Sequence, residues 1–331
     1  MNIAIFGAGS TGCYLAGELL MAKQNVSLIC RERIKHSIID NQGITLTSYQ
    51  GLHQKVMPTA LITEIEANTP TFDLIFVTLK CHQLSNITEQ LLQLTHKQST
   101  IVLMQNGLGS FDEITQALSK YPEQSRFVIQ GITPFNVLQK ELATFHKGTE
   151  GEFIFANTPH TQTVHQAMIS NGLSCTLVDD MAPIIYGKLL LNLNNALNAI
   201  TDVPIKQQLS QAPTRKLLSL AMKEWLNVCK KAHLPLAQFT KVKPQWLPLI
   251  LSLPDSLFTV LAKQMLDIDP EARSSMWEDI QANRKTEIEY LNQAVVKLGQ
   301  QHQVATPVNA AIVTAVNKLE QGQKVDIHTL L

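Results

Sequence analysis

Short runs of consecutive apolar residues recur through the first half of the chain. They lie at 2–6, 25–30, 73–79 and 100–104. Between the last two runs, four apolar residues recur at the spacing of one helix face: Leu84, Ile87, Leu91 and Leu94. Runs that are apolar throughout and joined by helices are typical of a parallel sheet covered on both faces. Further strands are predicted near 127–132, 141–146, 151–156 and 174–178, and Gly148 and Gly151 between them allow antiparallel additions.

Past Gly187 the pattern becomes helical. Helices are predicted over 188–200, 216–233, 279–300 and 307–320. Pro204 follows the first of them, whereas Pro213 and Pro307 suit the opening turn of a helix. We therefore expect an α/β protein with an N-terminal Rossmann-type domain over 1–182 and an all-helical C-terminal domain over 183–331.

Composition and charge narrow the classes of function. The 331 residues hold 27 basic and 27 acidic side chains, so the net charge is zero. A general polyanion binder needs a surplus of Lys and Arg, so a nucleic-acid partner is not expected. Hydrophobic residues make up 45% of the chain, enough for a core. Thirteen of the 15 glycines precede residue 188, which agrees with a turn-rich first half and a helical second half.

The cysteines and the apolar segments indicate the cellular compartment of the protein. Five cysteines are widely spaced without a C-x-x-C pair, which favours reduced thiols over a zinc site or a disulfide framework. No metal is expected. The N-terminus does not resemble a signal peptide, and no apolar stretch reaches the ~18 residues of a membrane span. The sequence predicts a cytoplasmic protein without a membrane partner.

A glycine-rich loop follows the first strand. Gly7-Ala-Gly-Ser-Thr-Gly12 is a G-x-G-x-x-G motif between a strand and a helix, the context that makes this motif specific for dinucleotides. Its first glycine permits a tight turn, the second lets a pyrophosphate approach, and the third allows close packing. The helix N-terminus then faces the anion. The expected cofactor-binding residues here are Gly7, Gly9, Ser10, Thr11 and Gly12.

The end of the second strand bears on the choice of cofactor. An NAD site favours an acidic residue at this point, on the ribose hydroxyls. Here Arg31 comes first, and its guanidinium suits a 2′-phosphate, which predicts NADPH. Arg33 is a candidate assistant. The alternative is that Glu32 takes the ribose and both arginines are solvated.

Polar residues follow two of the predicted buried strands. Lys80 ends one, with Gln83 one turn later, and Asn106 follows another. Ligands of open α/β sheets bind beyond such strand ends. Lys80, Gln83 and Asn106 are therefore candidates for cofactor contacts, and Asn106 also for the substrate. Lys80 as solvated surface is the alternative.

Two polar groups occur in the second half. Lys188, Asn192 and Asn195 lie at i, i+4 and i+7 on one face of a leucine-rich helix. A desolvated lysine suits a general acid, although helix–helix hydrogen bonding would also explain the asparagines. Ser275 and Glu287 form the other group, and on sequence alone Glu287 reads as part of a charged helix face. They would lie about 18 Å apart on one straight helix, so both can reach a small ligand only if the chain breaks between them, which we expect near 275–279.

Taken together, these motifs resemble the ketopantoate reductase (2-dehydropantoate 2-reductase) family over nearly the whole chain. The matching segments are GAGSTG, TLK ending at Lys80, QNGLG with Asn106, YGKLLLN with Lys188 and Asn192, RSSMWEDIQANRKTEIEYLN with Ser275 and Glu287, and TPVN. The resemblance implies an NADPH domain, a helical substrate domain and an active site in the cleft. The implied reaction reduces 2-dehydropantoate to pantoate in pantothenate and coenzyme A biosynthesis.

The same resemblance implies roles for individual residues. Lys188 is the general acid, and Glu287 binds and orients the substrate. Asn192 and Ser275 contact the 2-oxo acid, with Ser275 on its carboxylate. Arg31 takes the 2′-phosphate, and Lys80 and Asn106 line the cofactor and the catalytic centre. The partner is thus a small 2-oxo acid, and a homodimer is left open.

The chain departs from the family pattern at the second helix asparagine. Ala196 stands where an asparagine often falls eight residues after the lysine, and Asn195 is the nearest substitute. Ile205 replaces a further asparagine of some members, and Gln293 a frequent glycine. A reductase of another branched 2-oxo acid is therefore an alternative. Two others are a polyol-phosphate dehydrogenase, which would want more Arg and Lys, and a noncatalytic NADPH-binding regulator.

Overall fold

The structure, a computed structural model, describes residues 1–122, 126–261 and 271–330. The described residues divide into two compact units. The first comprises Met1–Gln105 and Ser110–Met181, and the second comprises Asn106–Gly109 and Ala182–Leu331. The four residues Asn106–Gly109 therefore group with the helical unit, whereas the sequence expectation assigned them to the N-terminal domain.

The first unit contains the strands. They are β1 Asn2–Phe6, β2 Asn25–Ile29, β3 Ile44–Ser48, β4 His53–Val56, β5 Ala60–Ile62, β6 Phe72–Val77, β7 Thr95–Leu103, β8 Phe127–Ile132, β9 Val137–Glu141, β10 Thr144–Lys147, β11 Phe153–Ala156 and β12 Cys175–Val178. Its helices are α1 Ser10–Met21, α2 Glu32–Asp40, α3 Thr88–Leu94, α4 Ser110–Leu118 and α5 Pro159–Ser170, with a 3₁₀ helix at Cys81–Asn86.

An eight-stranded sheet runs in the order β12-β11-β8-β7-β6-β1-β2-β5. The six strands from β8 to β5 are parallel, and β11 pairs antiparallel with β8. Along β1, Ile3 and Ile5 enter one hydrophobic core while Ala4 and Phe6 enter another. Both faces of the sheet are therefore buried, which explains runs that are apolar throughout. The predicted Rossmann-type fold is confirmed.

A second, four-stranded sheet of order β4-β3-β10-β9 packs against α1. The apolar pattern does not predict β3, β4 or β5, and it assigns one strand to 141–146, where the chain forms the antiparallel pair β9 and β10. These strands are short and partly exposed, so they lack the continuous apolar run that marks the buried sheet.

The second unit is helical among its described residues. Its α-helices are α6 Ala182–Asn192, α7 Asn194–Thr201, α8 Ile205–Ser210, α9 Ala212–Lys231, α10 Leu247–Leu251, α11 Asp255–Leu261, α12 Ser275–Gln281, α13 Asn292–Gln301 and α14 Pro307–Glu320. Trp225 on α9 is fully buried at the centre of their core. No described helix is long and apolar enough to cross a membrane.

Two helix predictions need correction. The expected helix over 188–200 is two helices, because Leu193 separates α6 from α7 while keeping helical backbone angles. The expected helix over 279–300 is wrong. The chain leaves α12 after Gln281, forms a 3₁₀ turn at Ile288–Tyr290 and begins α13 at Asn292. The break between Ser275 and Glu287 therefore exists, but it lies at 282–287 instead of 275–279.

Candidate active site

The glycine loop between β1 and α1 has the space that a pyrophosphate requires. Gly7 has φ +118°, and a Cβ there would lie 2.8 Å from the backbone nitrogen of Leu79. A Cβ on Gly12 would lie only 2.0 Å from the carbonyl oxygen of Gly7. Gly9 is different, because it is exposed and no atom lies within 4 Å of the position of its Cβ. Two glycines thus permit packing, and the third leaves open space.

The first turn of α1 borders that open space. Gly9 precedes the helix, and Ser10 and Thr11 are its first two residues, each half-buried. No side chain caps this end and no acidic residue lies in the first turn. The N–H groups at the helix start can therefore serve an anion. This geometry fits the phosphates of a dinucleotide.

Arg31 and Glu32 differ in what they contact. Arg31 is exposed directly before α2, and it forms no ion pair among the described residues. The Glu32 carboxylate instead accepts a 2.7 Å hydrogen bond from the Thr63 hydroxyl and lies 3.4 Å from Lys35 Nζ. These contacts hold the pKa of Glu32 below its usual value. Glu32 is thus already engaged by the protein, whereas the guanidinium of Arg31 is available to a ligand.

Lys80 and Gln83 lie at the end of β6. Lys80 is half-buried and precedes the 3₁₀ helix Cys81–Asn86. The Gln83 side-chain oxygen accepts a 3.1 Å hydrogen bond from the backbone nitrogen of Lys80. Gln83 therefore shapes the turn that carries Lys80, a structural role beside the cofactor contact expected of it.

Lys188 lies on α6, in the second unit. The carbonyl of Tyr186 accepts a hydrogen bond from the indole of Trp225, and a Cβ on Gly187 would lie 2.3 Å from the Ala237 carbonyl oxygen. These contacts pack the two residues that precede Lys188 tightly, and Lys188 itself is half-buried. Burial lowers the pKa of Lys188 to about 7, against the opposing charge of Glu287, which raises it.

Asn192 is one turn beyond Lys188 on α6. Its side-chain nitrogen is buried and has no hydrogen-bond partner in the part of the chain that the structure describes. Buried amide groups are nearly always paired, and an unpaired one costs free energy. The donor of Asn192 therefore suits an acceptor on a bound molecule.

The asparagines of α7 behave differently from Asn192. Asn198 is fully buried, and its side chain bonds to the Val203 carbonyl, to Gln208 and to the backbone nitrogen of Ser274. The main-chain carbonyl of Asn195 accepts a hydrogen bond from the Ser274 hydroxyl. These bonds fasten the start of α12 to α7. Sequence reasoning missed Asn198, although its position three residues after Asn195 on an apolar helix was a usable signal.

Ser274 and Ser275 have separate roles at the start of α12. The Ser274 hydroxyl caps the helix by accepting from the backbone nitrogen of Trp277. Ser275 is half-buried, and no hydrogen bond of its hydroxyl is found among the described residues. Ser274 is therefore structural, whereas Ser275 has a hydroxyl for a ligand.

Glu287 lies at the turn before α13, and it is 6% exposed. Its charge acts on Lys188, so the two side chains are neighbours although 99 residues separate them. The turn also meets the segment that carries Asn106. Leu108 donates a 2.9 Å backbone hydrogen bond to the Tyr290 carbonyl, and a Cβ on Gly107 would lie 2.0 Å from that oxygen.

The predicted site residues thus form two groups. The first unit holds the glycine loop, Arg31, Lys80 and Gln83. In the second unit, Lys188 lies beside Glu287, and Asn192 follows it by one helical turn. The backbone joins the segment of Asn106 to the turn of Glu287, and Ser275 lies at a helix start fastened near Asn195. The group of residues in the second unit can bind an anion next to the ammonium of Lys188.

Comparisons with known proteins identify the family. The family model described as Ketopantoate reductase PanE/ApbA matches residues 3–160, and the one described as Ketopantoate reductase PanE/ApbA C terminal matches residues 180–320. A 2-dehydropantoate 2-reductase from Pyrobaculum aerophilum is 30% identical over 226 residues, which cover 68% of this chain and 71% of that protein. The chain belongs to the ketopantoate reductase family. The relationship expected from the motifs is confirmed.

A further relative covers nearly the full length. The 2-dehydropantoate 2-reductase from Vibrio cholerae is 26% identical over 337 residues, which cover 97% of this chain and 99% of the relative. Membership of the ketopantoate reductase family makes the chain an oxidoreductase that acts on CH–OH groups, as expected. Members use a nicotinamide cofactor, and the choice of NADPH stays a prediction.

Solved structures of similar fold come from more than one enzyme. A PanE/ApbA family ketopantoate reductase from Ralstonia eutropha has a TM-score of 0.79 at 21% identity and covers 98% of this chain and 100% of its own. A dimeric ketopantoate reductase from Staphylococcus aureus has 0.73 at 21%, covering 97% and 99%. A D-mandelate dehydrogenase in a ternary structure with NADH and anilino(oxo)acetate has 0.77 at 22%, covering 98% and 100%. At such identities these likenesses show the fold alone.

Proposed function

We propose that this chain reduces 2-dehydropantoate to pantoate with NADPH, as in pantothenate and coenzyme A biosynthesis, and that Lys188 is the general acid. One observation carries the proposal. A lysine with its pKa lowered to about 7 lies beside Glu287 and one turn before the buried amide nitrogen of Asn192, which has no partner among the described residues. The names of the relatives support the substrate.

The first unit supplies the proposed cofactor site. When bound, NADPH supplies the hydride for carbon 2 of the oxo acid. The open space at Gly9 and the start of α1 would hold the pyrophosphate, with Ser10 and Thr11 in the first turn. Arg31 would pair with the 2′-phosphate, because its guanidinium has no ion-pair partner among the described residues. Lys80 and Gln83 would face the ribose or phosphate oxygens.

The proposed role of Lys188 follows from its charge and its pKa. As hydride reaches the carbonyl carbon, negative charge grows on the carbonyl oxygen. The ammonium of Lys188 stabilises that charge and delivers the proton to it. A pKa of about 7 lets the group donate readily near neutral pH and be recharged from water. Glu287 keeps the ammonium form from being lost altogether.

The remaining residues would orient the substrate. Asn192 donates its unpaired N–H to the oxo acid, and Ser275 holds the carboxylate with its hydroxyl. The carboxylate of Glu287 accepts a hydrogen bond from the hydroxyl of 2-dehydropantoate. Asn195 and Asn106 supply further contacts to the substrate. Fixing the carboxylate and the carbonyl together sets the reacting carbon at a defined distance, which lowers the entropic part of the barrier.

A second candidate is the reduction of another branched 2-oxo acid with NADPH. One observation favours it. Ile205 is half-buried and packs on the core of the second unit, where some family members have asparagine. An apolar side chain at this position would suit a substrate without the hydroxymethyl group.

The decisive experiment is a substrate panel. NADPH oxidation is followed at fixed enzyme concentration with 2-dehydropantoate, 2-oxoisovalerate and phenylglyoxylate, and then with NADH in its place. We expect the highest kcat/KM for 2-dehydropantoate with NADPH. A preference for 2-oxoisovalerate would establish the second candidate. Tight NADPH binding without turnover of any oxo acid would instead indicate a noncatalytic regulator.

A homodimer is also proposed as the assembly. It is supported by the description of the Staphylococcus aureus neighbour as dimeric. Light scattering after size exclusion tests it, with a mass of twice 36.8 kDa expected. A mass that stays at the monomer value across a hundredfold range of concentration would contradict it.

A further inference from the structure

Gln105 makes two side-chain hydrogen bonds at the end of β7. Its Nε2 donates to the carbonyl of Val77 at 2.8 Å and to the carbonyl of Leu79 at 3.0 Å. Both partners are acceptors, so the side-chain nitrogen must face them. The two hydrogens of one NH₂ group thus bracket Thr78 from either side. The Gln105 oxygen is left buried, with no partner among the residues that the structure describes.

Thr78 continues this chain of bonds to the glycine loop. Its hydroxyl donates to the carbonyl of Gly7 at 2.5 Å, and its backbone nitrogen donates to the carbonyl of Phe6 at 2.9 Å. A Cβ on Gly12 would lie 2.4 Å from the Thr78 hydroxyl oxygen. The conformation of the glycine loop therefore depends on where Thr78 is held.

The hydrogen-bond ladder of the sheet does not reach the carbonyl of Leu79. The parallel pairing of β6 with β7 ends at Val77 and Leu103, so the carbonyl of Leu79 lies past the ladder. Gln105 supplies the bond that the ladder no longer provides. Lys80 follows Leu79 directly, so the same bond fixes the start of the turn that carries Lys80. A buried oxygen without a partner is an unfavourable feature for a purely structural residue.

We propose that Gln105 is a positioning residue of the cofactor site. Through Val77, Leu79 and Thr78 it holds both the glycine loop and Lys80, without itself touching the cofactor. The inference rests on the proposed binding of NADPH. It assigns to Gln105 a function that its place next to Asn106 in the sequence does not reveal.

The test measures NADPH affinity directly. Gln105→Met keeps the volume of the side chain and removes both donors. Its dissociation constant for NADPH, read from the fluorescence of the bound nucleotide, should rise at least tenfold. KM for the oxo acid at saturating NADPH should stay within twofold of wild type. Gln98→Met is the matched control, because Gln98 is exposed near the other end of β7. It should bind NADPH as wild type does.

A second pair of variants tests the same connection at Thr78. Thr78→Val removes the hydroxyl that holds Gly7, whereas Thr78→Ser keeps it. We expect weak NADPH binding for T78V and near wild-type binding for T78S. This pair of variants tests the positioning role of Gln105 if Q105M does not fold.

The outcomes separate the inference from the proposed function. Wild-type protein that binds no NADPH would refute both. Wild-type binding together with an unchanged dissociation constant in folded Q105M, or in T78V, would refute the inference alone. A lower melting temperature of Q105M with unchanged affinity would show that Gln105 only stabilises the fold.

Discussion

The backbone N–H of Leu108 donates a 2.9 Å hydrogen bond to the carbonyl oxygen of Tyr290, and this bond joins the segment of Asn106 to the turn of Glu287. The two segments are 182 residues apart in the chain. Gly107 makes the approach possible, because its φ of +83° and its missing Cβ leave the Tyr290 carbonyl in place. Two candidate site residues therefore depend on one glycine.

Gly107→Ala should separate these segments. Its Cβ would lie 2.0 Å from the Tyr290 oxygen, and its backbone would be strained as well. We expect the free energy of unfolding to fall by at least about 2 kcal/mol and kcat/KM to fall with it. Urea denaturation and initial rates measure both. Gly109→Ala is the control, since its φ is +104° but its nearest neighbour is Tyr290 Cδ1 at 3.8 Å. Equal losses in both variants would mean that backbone strain alone matters.

Lys188→Ala should act on chemistry more than on binding. An interaction that strengthens as charge develops on the carbonyl oxygen is lost from the transition state. We expect kcat to fall by about 10²- to 10⁴-fold with a smaller change in KM for the oxo acid. Steady-state kinetics at saturating NADPH measure the split. A variant that retains near wild-type kcat would remove Lys188 from the role of general acid.

The pH profile should report the same group. The acid works in its protonated form, and burial lowers its pKa to about 7, so kcat/KM should decline as pH rises through about 7. Glu287 raises that pKa. Glu287→Gln should therefore move the alkaline limb to lower pH. An alkaline limb that moves to higher pH in E287Q, or a wild-type profile that is flat from pH 6 to 9, would contradict this prediction.

Asn192→Leu should distinguish a ligand-binding amide from a structural one. The buried Nδ2 of Asn192 has no partner within residues 1–122, 126–261 and 271–330, so its removal should leave the free energy of unfolding unchanged or higher. KM for the oxo acid should rise roughly tenfold. Asn198→Leu is the matched comparison. That residue has all of its bonds within the protein, and its loss should cost about 2 to 4 kcal/mol of stability. Comparable destabilisation by both changes would argue for a structural Asn192.

Arg31→Ala should weaken NADPH more than NADH. The two cofactors differ only by the 2′-phosphate, and a charge-assisted hydrogen bond to it is worth roughly tenfold or more in affinity. KM for each nucleotide is measured at a fixed concentration of oxo acid. Glu32→Gln is the control, because its carboxylate is held by Thr63 and Lys35. A larger effect of E32Q on NADH would favour the alternative in which Glu32 takes the ribose.

Local patterns in the sequence were enough to predict several features of the structure. The buried strands, the glycine loop before α1 and the shared face of Lys188 and Asn192 all depend on neighbours within a few residues. Such features follow the periods of helices and strands. The short strands β4 and β5 escaped because they lie at sheet edges and are exposed or half-buried, and β3 escaped because its apolar residues alternate with threonine.

The helix expected over 279–300 shows where local reasoning fails. The residues at 282–287 have no proline or glycine to interrupt a helix. The chain nevertheless leaves the helix there, where Arg284 binds Asp279 and Thr286 binds Glu320. The long-range bond from Thr286 to Glu320, together with the local ion pair of Arg284 with Asp279, outweighs the weak preference of these residues for helix.

The sequence by itself determined the two-part architecture, the dinucleotide loop and the polar face of α6, because each is written in short-range order. Only the tertiary structure decided that Glu287 lies beside Lys188 and that the segment of Asn106 belongs to the helical unit. It also decided that, among the described residues, the side-chain nitrogen of Asn192 has no partner while Asn198 has several. These are contacts between residues distant in the chain. They are selected by packing and hydrogen-bond satisfaction over the whole unit, which no local pattern encodes.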